Sequence, residues 1–380
     1  MTTDKPRVTY IANMHGDEVM GREMMLRLID LLGVGTDPDP QINAMLAALR
    51  SNAEIMIMPS LNPDGYEAQK RNDCWRSNGT NHATCYNGSD LNRSFPNKQT
   101  NQSDSSSGRP VEVVAMMDRF FKSKPESFGG TLVPYAHPFV LGANFHGGTT
   151  VMNLAYDTCP NTGSPTAGCA SYYPDSGAIF DDDLEVKSLG REYANLNPVM
   201  NAIADTGSFY NGLTYGYEWY LIAGGMQDWA TVYSGRDSIH TTVELTTTKW
   251  PTFASATEGV AVSWANNKLA LVTYLYRGLK GIHVAVVDSA GQPINGATVA
   301  INGRAITYGA TNKIHHAAGR SVSPANAGYN ANQKAAYLGG APVDADSPIS
   351  VTVSAPGRTT AIVPVSPSIF AGDYTTVTLQ

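Results

Sequence analysis

The chain reads as an α/β domain followed by a small all-β sandwich, and three observations lead there. Its 380 residues are long for one domain. Over the first 280 residues, strand-like runs alternate with helical patterns, the texture of an α/β sheet. Residues 281–380 change to short β-type runs, most of them separated by Gly, Pro and Asn turns.

Taken in order, Arg7–Met14 (RVTYIANM) predicts a buried strand, and Glu18–Leu32 carries apolar residues at helical spacing. Glu54–Met58 (EIMIM) and Leu141–Phe145 predict short apolar strands. His240–Leu245 (HTTVEL) is β-branched and bounded by turn-prone residues. Thr100–Pro110 (TNQSDSSSGRP) has no periodicity and reads as a surface loop. A helical pattern from about Ala256 to Leu279 stops at Gly278 and Gly281, which puts the domain boundary near residue 280. Beyond it, Ile282–Val287, Thr298–Ile301, Ile349–Val353, Thr359–Val365 and Thr375–Leu379 are the expected strands. The Ala/Gly/Asn-rich piece Ala317–Asp344 is expected to be a long loop among them.

Composition narrows the function classes. Hydrophobic residues make up 42% and charged residues 16%, which suits a soluble protein with a sizeable core. No run of 18 apolar residues marks a membrane helix, and no basic, apolar leader precedes the first strand. The net charge of −7 argues against nucleic acid, whose phosphates would be repelled. Residues 281–380 hold five Lys/Arg against four Asp/Glu, a net of +1, leaving −8 for residues 1–280. The four cysteines form two local pairs, Cys74 with Cys85 and Cys159 with Cys169, each bracketing a loop. Three connectivities exist; short spacing favours the local one, and four unrelated thiols are the alternative. Two disulfides would imply an oxidising compartment, hence a secreted or periplasmic protein whose signal is not visible in this chain.

The chemistry gathers at strand ends. His15 and Glu18 stand where the first strand gives way to its helix (NMHGDE), a turn that can aim side chains three apart at one point. A histidine nitrogen and a carboxylate oxygen suit zinc, which needs a third protein ligand and leaves a fourth place for water. His146 ends a later strand (NFHGG), and Glu244 lies near the end of another. In an open α/β sheet such residues meet in the crevice at the carboxyl ends of the strands. A lone histidine at a strand end is more often simply hydrogen-bonded; the joint pattern is what points to a metal. His82, His137 and His240 have no matching constellation, and the adjacent His315 and His316 read as a solvated pair in a loop.

The runs IANMHGDEVMGRE, MPSLNPDGYE, DLNRSFP, NFHGG, AGGMQDW and TVEL follow one another in the order seen in zinc metallocarboxypeptidases. They resemble the regulatory carboxypeptidase E/N/D subfamily more than the digestive enzymes. That resemblance implies a mixed-sheet catalytic domain, residues 1–280, and a transthyretin-like β-sandwich, residues 281–380. It also implies one Zn2+ per catalytic domain and peptide or protein C-termini as substrate. Only 14 residues precede His15, where family members carry several tens more, so the catalytic domain is expected to be short at its start.

By the same resemblance, His15, Glu18 and His146 hold the zinc, and Glu244 is general base and acid. Arg76 (CWRSN) stabilises the oxyanion, although Arg71 is close by and the Cys74–Cys85 segment is spaced unusually for the subfamily. Asn92 and Arg93 bind the substrate's terminal carboxylate, a role that the planar fork of arginine fits. Tyr220 closes over the bound terminus. Gln227 floors the side-chain pocket, and Asp157, eleven residues after His146, is the acidic partner that goes with Lys/Arg preference. Two alternatives stay open: a catalytically weak binding protein of the same fold, and a zinc amidohydrolase acting on acylated amino acids or cell-wall peptides. Relatives of the first kind typically lose zinc ligands or the base, and this chain keeps all of them.

Overall fold

The computed structural model describes residues 5–74, 88–97, 108–123, 133–134, 139–158, 183–204, 209–233, 238–301, 304–306, 313–317 and 348–380. Its first part is built on a six-stranded sheet in the order β2-β1-β5-β8-β6-β7. The strands are β1 (Arg7–Ala12), β2 (Glu54–Met58), β5 (Phe139–His146), β6 (Val151–Leu154), β7 (Leu213–Tyr215) and β8 (Ile239–Glu244); β3 (Lys122–Ser123) and β4 (Val133–Pro134) form a separate two-stranded ribbon. Strands β1, β5 and β8 are buried along their whole length, as expected of parallel strands covered on both faces. The sheet is mixed because β6 runs antiparallel to β8 while the other neighbours are parallel.

Helices supply the cover. They are α1 (Met20–Val34), α2 (Pro40–Asn52), α3 (Pro63–Glu67), α4 (Val111–Phe121), α5 (Asp183–Leu196), α6 (Pro198–Asn201), α7 (Gly216–Trp219), α8 (Met226–Asp228) and α9 (Val260–Arg277). In α1, Met20, Met24, Met25, Leu28 and Leu31 form the inward stripe at helical spacing. In α2, Asp39 caps the Gln41 N–H, Pro40 occupies the first turn, and Ile42, Met45, Leu46 and Leu49 face inward. Helix α9 packs against α1, α2 and α5 and, with them, against the sheet. A buried hydrogen bond from the Tyr10 hydroxyl to the Leu271 carbonyl, 2.8 Å, ties β1 to α9. Among the described residues no helix is long and apolar enough to cross a membrane.

After α9 the chain turns to strands: β9 (Lys280–Asp288), β10 (Thr298–Ile301), β11 (Arg304–Ile306), β12 (Lys313–Ala317), β13 (Ile349–Ser354), β14 (Ala361–Val365), β15 (Ser368–Ile369) and β16 (Thr375–Leu379). One sheet runs β11-β10-β13-β14, and the other runs β12-β9-β15 with β16 on β9. Alternate residues turn inward, and Ile282, Val284, Val286, Val299, Val351, Val353, Val377 and Leu379 form a hydrophobic cluster of their own. Each such side chain stabilises the folded state by roughly 1.5–3 kcal/mol relative to exposure.

His315 departs from the sequence expectation. It sits on β12 rather than in a solvated loop, is 1% exposed, and places Nδ1 2.9 Å from Nδ1 of His283. The surface loop expected over Thr100–Pro110 and the long loop over Ala317–Asp344 fall mostly outside the described residues.

Candidate metal centre and substrate cleft

The parallel strands end on one side, and the polar residues of the sequence motifs collect there. His15 lies three residues beyond β1, in a turn that Asn13 organises from a left-handed backbone (φ 54°). Its side-chain amide donates to the carbonyls of His15, Gly16 and Glu18, and Ser60 donates to its oxygen. Gly16 is required by close approach: a Cβ there would run into the backbone of Gly65 and Lys70. Gly16→Ala is therefore expected to destabilise at least as much as ordinary core overpacking, about 1–3 kcal/mol. Denaturant unfolding checks this, and an unchanged midpoint would refute the account of the turn.

His146 is the last residue of β5 and Glu244 the last of β8, and the two are register partners across the sheet. Glu18 Oε2 lies 2.9 Å from Nδ1 of His15 and 2.9 Å from Nδ1 of His146, and the two Nδ1 atoms are 3.0 Å apart. All three side chains are buried. Two imidazole nitrogens and a carboxylate oxygen gathered in this way could hold a metal ion, and their identity suits zinc. The surroundings fit the same reading. Asp90 Oδ1 is 2.9 Å from Nε2 of His15, a carboxylate partner that orients the ring with Nδ1 toward Glu18 and His146. Burial opposes ionisation of Glu18, yet the two histidines outweigh it and hold the carboxyl well below its usual range.

Around this triad the charges close into a ring. Arg71 donates from Nη1 to Glu18 Oε1 at 3.0 Å and from Nε to Asp90 Oδ2 at 3.0 Å. Lys249 donates to the same Glu18 Oε1 at 2.9 Å. Glu244 lines the same cleft. Burial, reinforced by the charge of Glu18, raises its pKa well above the usual carboxylate value, while Lys249 and Arg71 pull the other way. Its Oε2 is buried and accepts no hydrogen bond from any described residue.

The cleft itself, about 190 Å³, is lined by the triad together with Arg71, Asn92, Arg93, Asn153, Asp157, Tyr220, Glu244 and Lys249, among others. Asn92 is fixed by accepting the Met226 N–H at 2.9 Å, and Tyr220 stands at the rim, 47% exposed. Deeper in, Asp157 accepts from Asn153 Nδ2 at 2.9 Å and from Gln227 Nε2 at 3.2 Å, both on Oδ1. Gly216 makes room for this carboxylate, since a Cβ there would collide with Oδ1. Asp228 anchors the segment from below by accepting the backbone N–H groups of Asp157 and Thr158. Burial pushes the Asp157 pKa up to about 6, with partial relief from the Asn153 hydrogen bond and the charge of Arg93.

The structure thus brings together His15, Glu18, His146, Glu244, Asn92, Arg93, Tyr220, Asp157 and Gln227, with Gln227 behind Asp157 rather than on the cleft wall. Arg76 lies outside the described residues, as do Cys85, Cys159 and Cys169. Cys74 is disulfide-bonded. Sequence reasoning gave no role to Asp90, Asn153 or Lys249 and named Arg71 only as a neighbour of Arg76. Asp90 was within reach, since it opens the DLNRSFP motif.

The comparisons with known proteins agree with this geometry. The zinc carboxypeptidase family model matches residues 1–270. Mouse carboxypeptidase M is 34% identical over 302 residues, 79% of this chain and 60% of that one. The rat carboxypeptidase N catalytic chain is 32% identical over 306 residues, 79% of this chain and 63% of that one. Duck (Anas platyrhynchos) carboxypeptidase D is 31% identical over 304 residues, 78% of this chain and 19% of that one. The chain accordingly spans less than two thirds of the length of each. With its motifs in order and its ligand triad assembled at the strand ends, the chain belongs to the zinc carboxypeptidase family.

Proposed function

We propose that this chain is a zinc-dependent carboxypeptidase that hydrolyses the last peptide bond of its substrate and prefers C-terminal Lys or Arg. The observation that carries the reading is the shared cleft: three side chains that could hold a metal, the buried Glu244 carboxylate and the Asn92–Arg93 pair line one cavity. His15, Glu18 and His146 would hold one zinc ion, which would supply Lewis acidity for the water and the peptide carbonyl.

The chain's own residues do the rest. Asn92 and Arg93 hold the substrate's terminal carboxylate, an anion that an internal peptide bond lacks, so cleavage is confined to the end. Glu244 Oε2 accepts the proton of the attacking water and returns it to the leaving amine. By the resemblance Arg76, outside the described residues, stabilises the growing negative charge on the carbonyl oxygen; Arg71, on the cleft wall, adds positive charge there. Tyr220 closes the rim over the bound terminus. The histidine and carboxylate ligands and the base are all retained, which counts against a binding protein of the same fold.

The preference for basic ends is supported by the donor and acceptor balance of the pocket. Both amides beside Asp157 turn their N–H groups to its Oδ1. That leaves Asn153 Oδ1, a buried acceptor on a cleft-lining residue beside the Asp157 carboxylate, without a donor among the described residues. Acceptors in excess call for a guest rich in N–H groups, as an ammonium or guanidinium is. The bound disulfide at Cys74 supports an oxidising compartment and so a secreted or periplasmic protein, with Cys74–Cys85 and Cys159–Cys169 as the pairs. The separate hydrophobic cluster of β9–β16 supports a transthyretin-like sandwich, residues 281–380, following a catalytic domain of residues 1–280.

A matched set of peptides ending in Arg, Lys, Phe and Leu tests the proposal. Leaving a buried charge unpaired costs on the order of 3–5 kcal/mol, so basic ends should be favoured more than a hundredfold in kcat/KM. Asp157→Ala should erase the preference. The Arg/Phe ratio should also shrink as pH falls through about 6, because protonated Asp157 no longer pairs with a cation, while groups acting on both substrates cancel in the ratio. A wild type that prefers Phe or Leu, or a ratio that Asp157→Ala leaves alone, overturns it.

A further inference from the structure

Lys249 has no role in the reading above, and its placement argues for one. The backbone beside it is pinned from several directions. The Lys249 carbonyl accepts the Val19 N–H at 3.2 Å, next to Glu18. The Glu258 carboxylate accepts the N–H groups of Thr247 and Thr248, and the Trp250 ring stacks on Tyr66 with centroids 5.2 Å apart. From this fixed base the side chain reaches Glu18 Oε1 at 2.9 Å, with Asp17 Oδ2 its more distant second partner at 3.7 Å.

The two oxygens of Glu18 therefore face different company. Oε2 points at both imidazoles and accepts the Gly147 N–H at 3.2 Å. Oε1 is taken by two cations, Lys249 and Arg71. Arg71 also stands on the cleft wall, where the carbonyl oxygen of a bound substrate can draw its guanidinium away from Glu18. Glu18 Oε1 then keeps one donor, and that donor is Lys249. We propose that Lys249 is a positioning residue for Glu18: it holds Oε1 so that a single oxygen serves the metal, including while Arg71 is engaged by substrate. The assignment rests on the zinc reading of the triad.

Chelator competition for zinc on the full chain, in wild type, K249M and K249R, tests it. Loss of a hydrogen-bonding partner behind a metal ligand lowers affinity about 10–100-fold, which is the drop expected for K249M. K249R, which keeps a cationic donor, should recover most of it. The metal-free proteins should melt alike, since Lys249 is 40% exposed and its stem fills no core. Equal zinc affinity in wild type and K249M overturns the assignment, as does a K249R no better than K249M. A K249M that melts lower without metal also overturns it, because the role is then structural. A wild-type chain that binds no zinc overturns the zinc reading itself, and the assignment with it.

Discussion

Glu244→Gln is expected to lower turnover by about 10²–10⁴-fold, the usual share of a general base, with zinc content unchanged. The substitution keeps size and leaves the register pairing of β8 with β5 and β6 in place. It removes only the capacity to take a proton at Oε2, the buried oxygen that no described residue satisfies. Glu244 touches neither imidazole of the triad in any hydrogen bond, so metal retention should not depend on it. Steady-state hydrolysis of a peptide ending in Arg, with metal assayed on the same sample, gives both readouts. An undiminished kcat would show that another group accepts the proton.

His146→Ala is expected to abolish zinc binding and hydrolysis together. A catalytic zinc site keeps three protein ligands, and two of them cannot replace the third. His146 is 2% exposed at the end of a central strand, so its loss leaves Glu18 Oε2 facing a hole. Chelator treatment of the wild type should mimic the variant, and added zinc should rescue the first but not the second. Full activity in a demetallated wild type would remove the metal from the mechanism.

Much of this was legible from residues alone because the informative strands are short apolar or β-branched runs bounded by turn-prone residues. Glu54–Met58 and Thr298–Ile301 match β2 and β10 residue for residue, and the runs over β1, β5 and β8 differ only at their ends. Helix α2 escaped the reading although Asp39 and Pro40 mark its start, because its apolar stripe is diluted by Asn43, Ala44 and Ala47. Strands β6 and β7, four and three residues long, are too short to show a period. The run Lys313–Ala317 (KIHHA) lacks the alternation that marks a strand, which is why buried His315 reads as solvated. Arg71 and Arg76 cannot be ranked by spacing when a cysteine-bracketed segment intervenes; the ion pairs of Arg71 with Glu18 and Asp90 place it in the cleft. The amide of Asn153 is invisible as a pocket group until β6 brings it against Asp157.

The lateral pairing of His146 with Glu244 divides the molecule into parts that tolerate change very differently. One added or deleted residue within β5 or β8 would turn every following side chain to the opposite face, carrying ligand or base out of the crevice. The connecting segments are under no such rule, because doubling a loop's length costs only about 0.6 kcal/mol in closure entropy. New insertions can therefore reshape the surroundings of the cleft while the spacing between His146 and Glu244 stays set by the rungs of the sheet. Variation among members of this family should accordingly concentrate in the connecting segments, while the distance between these two side chains stays constant.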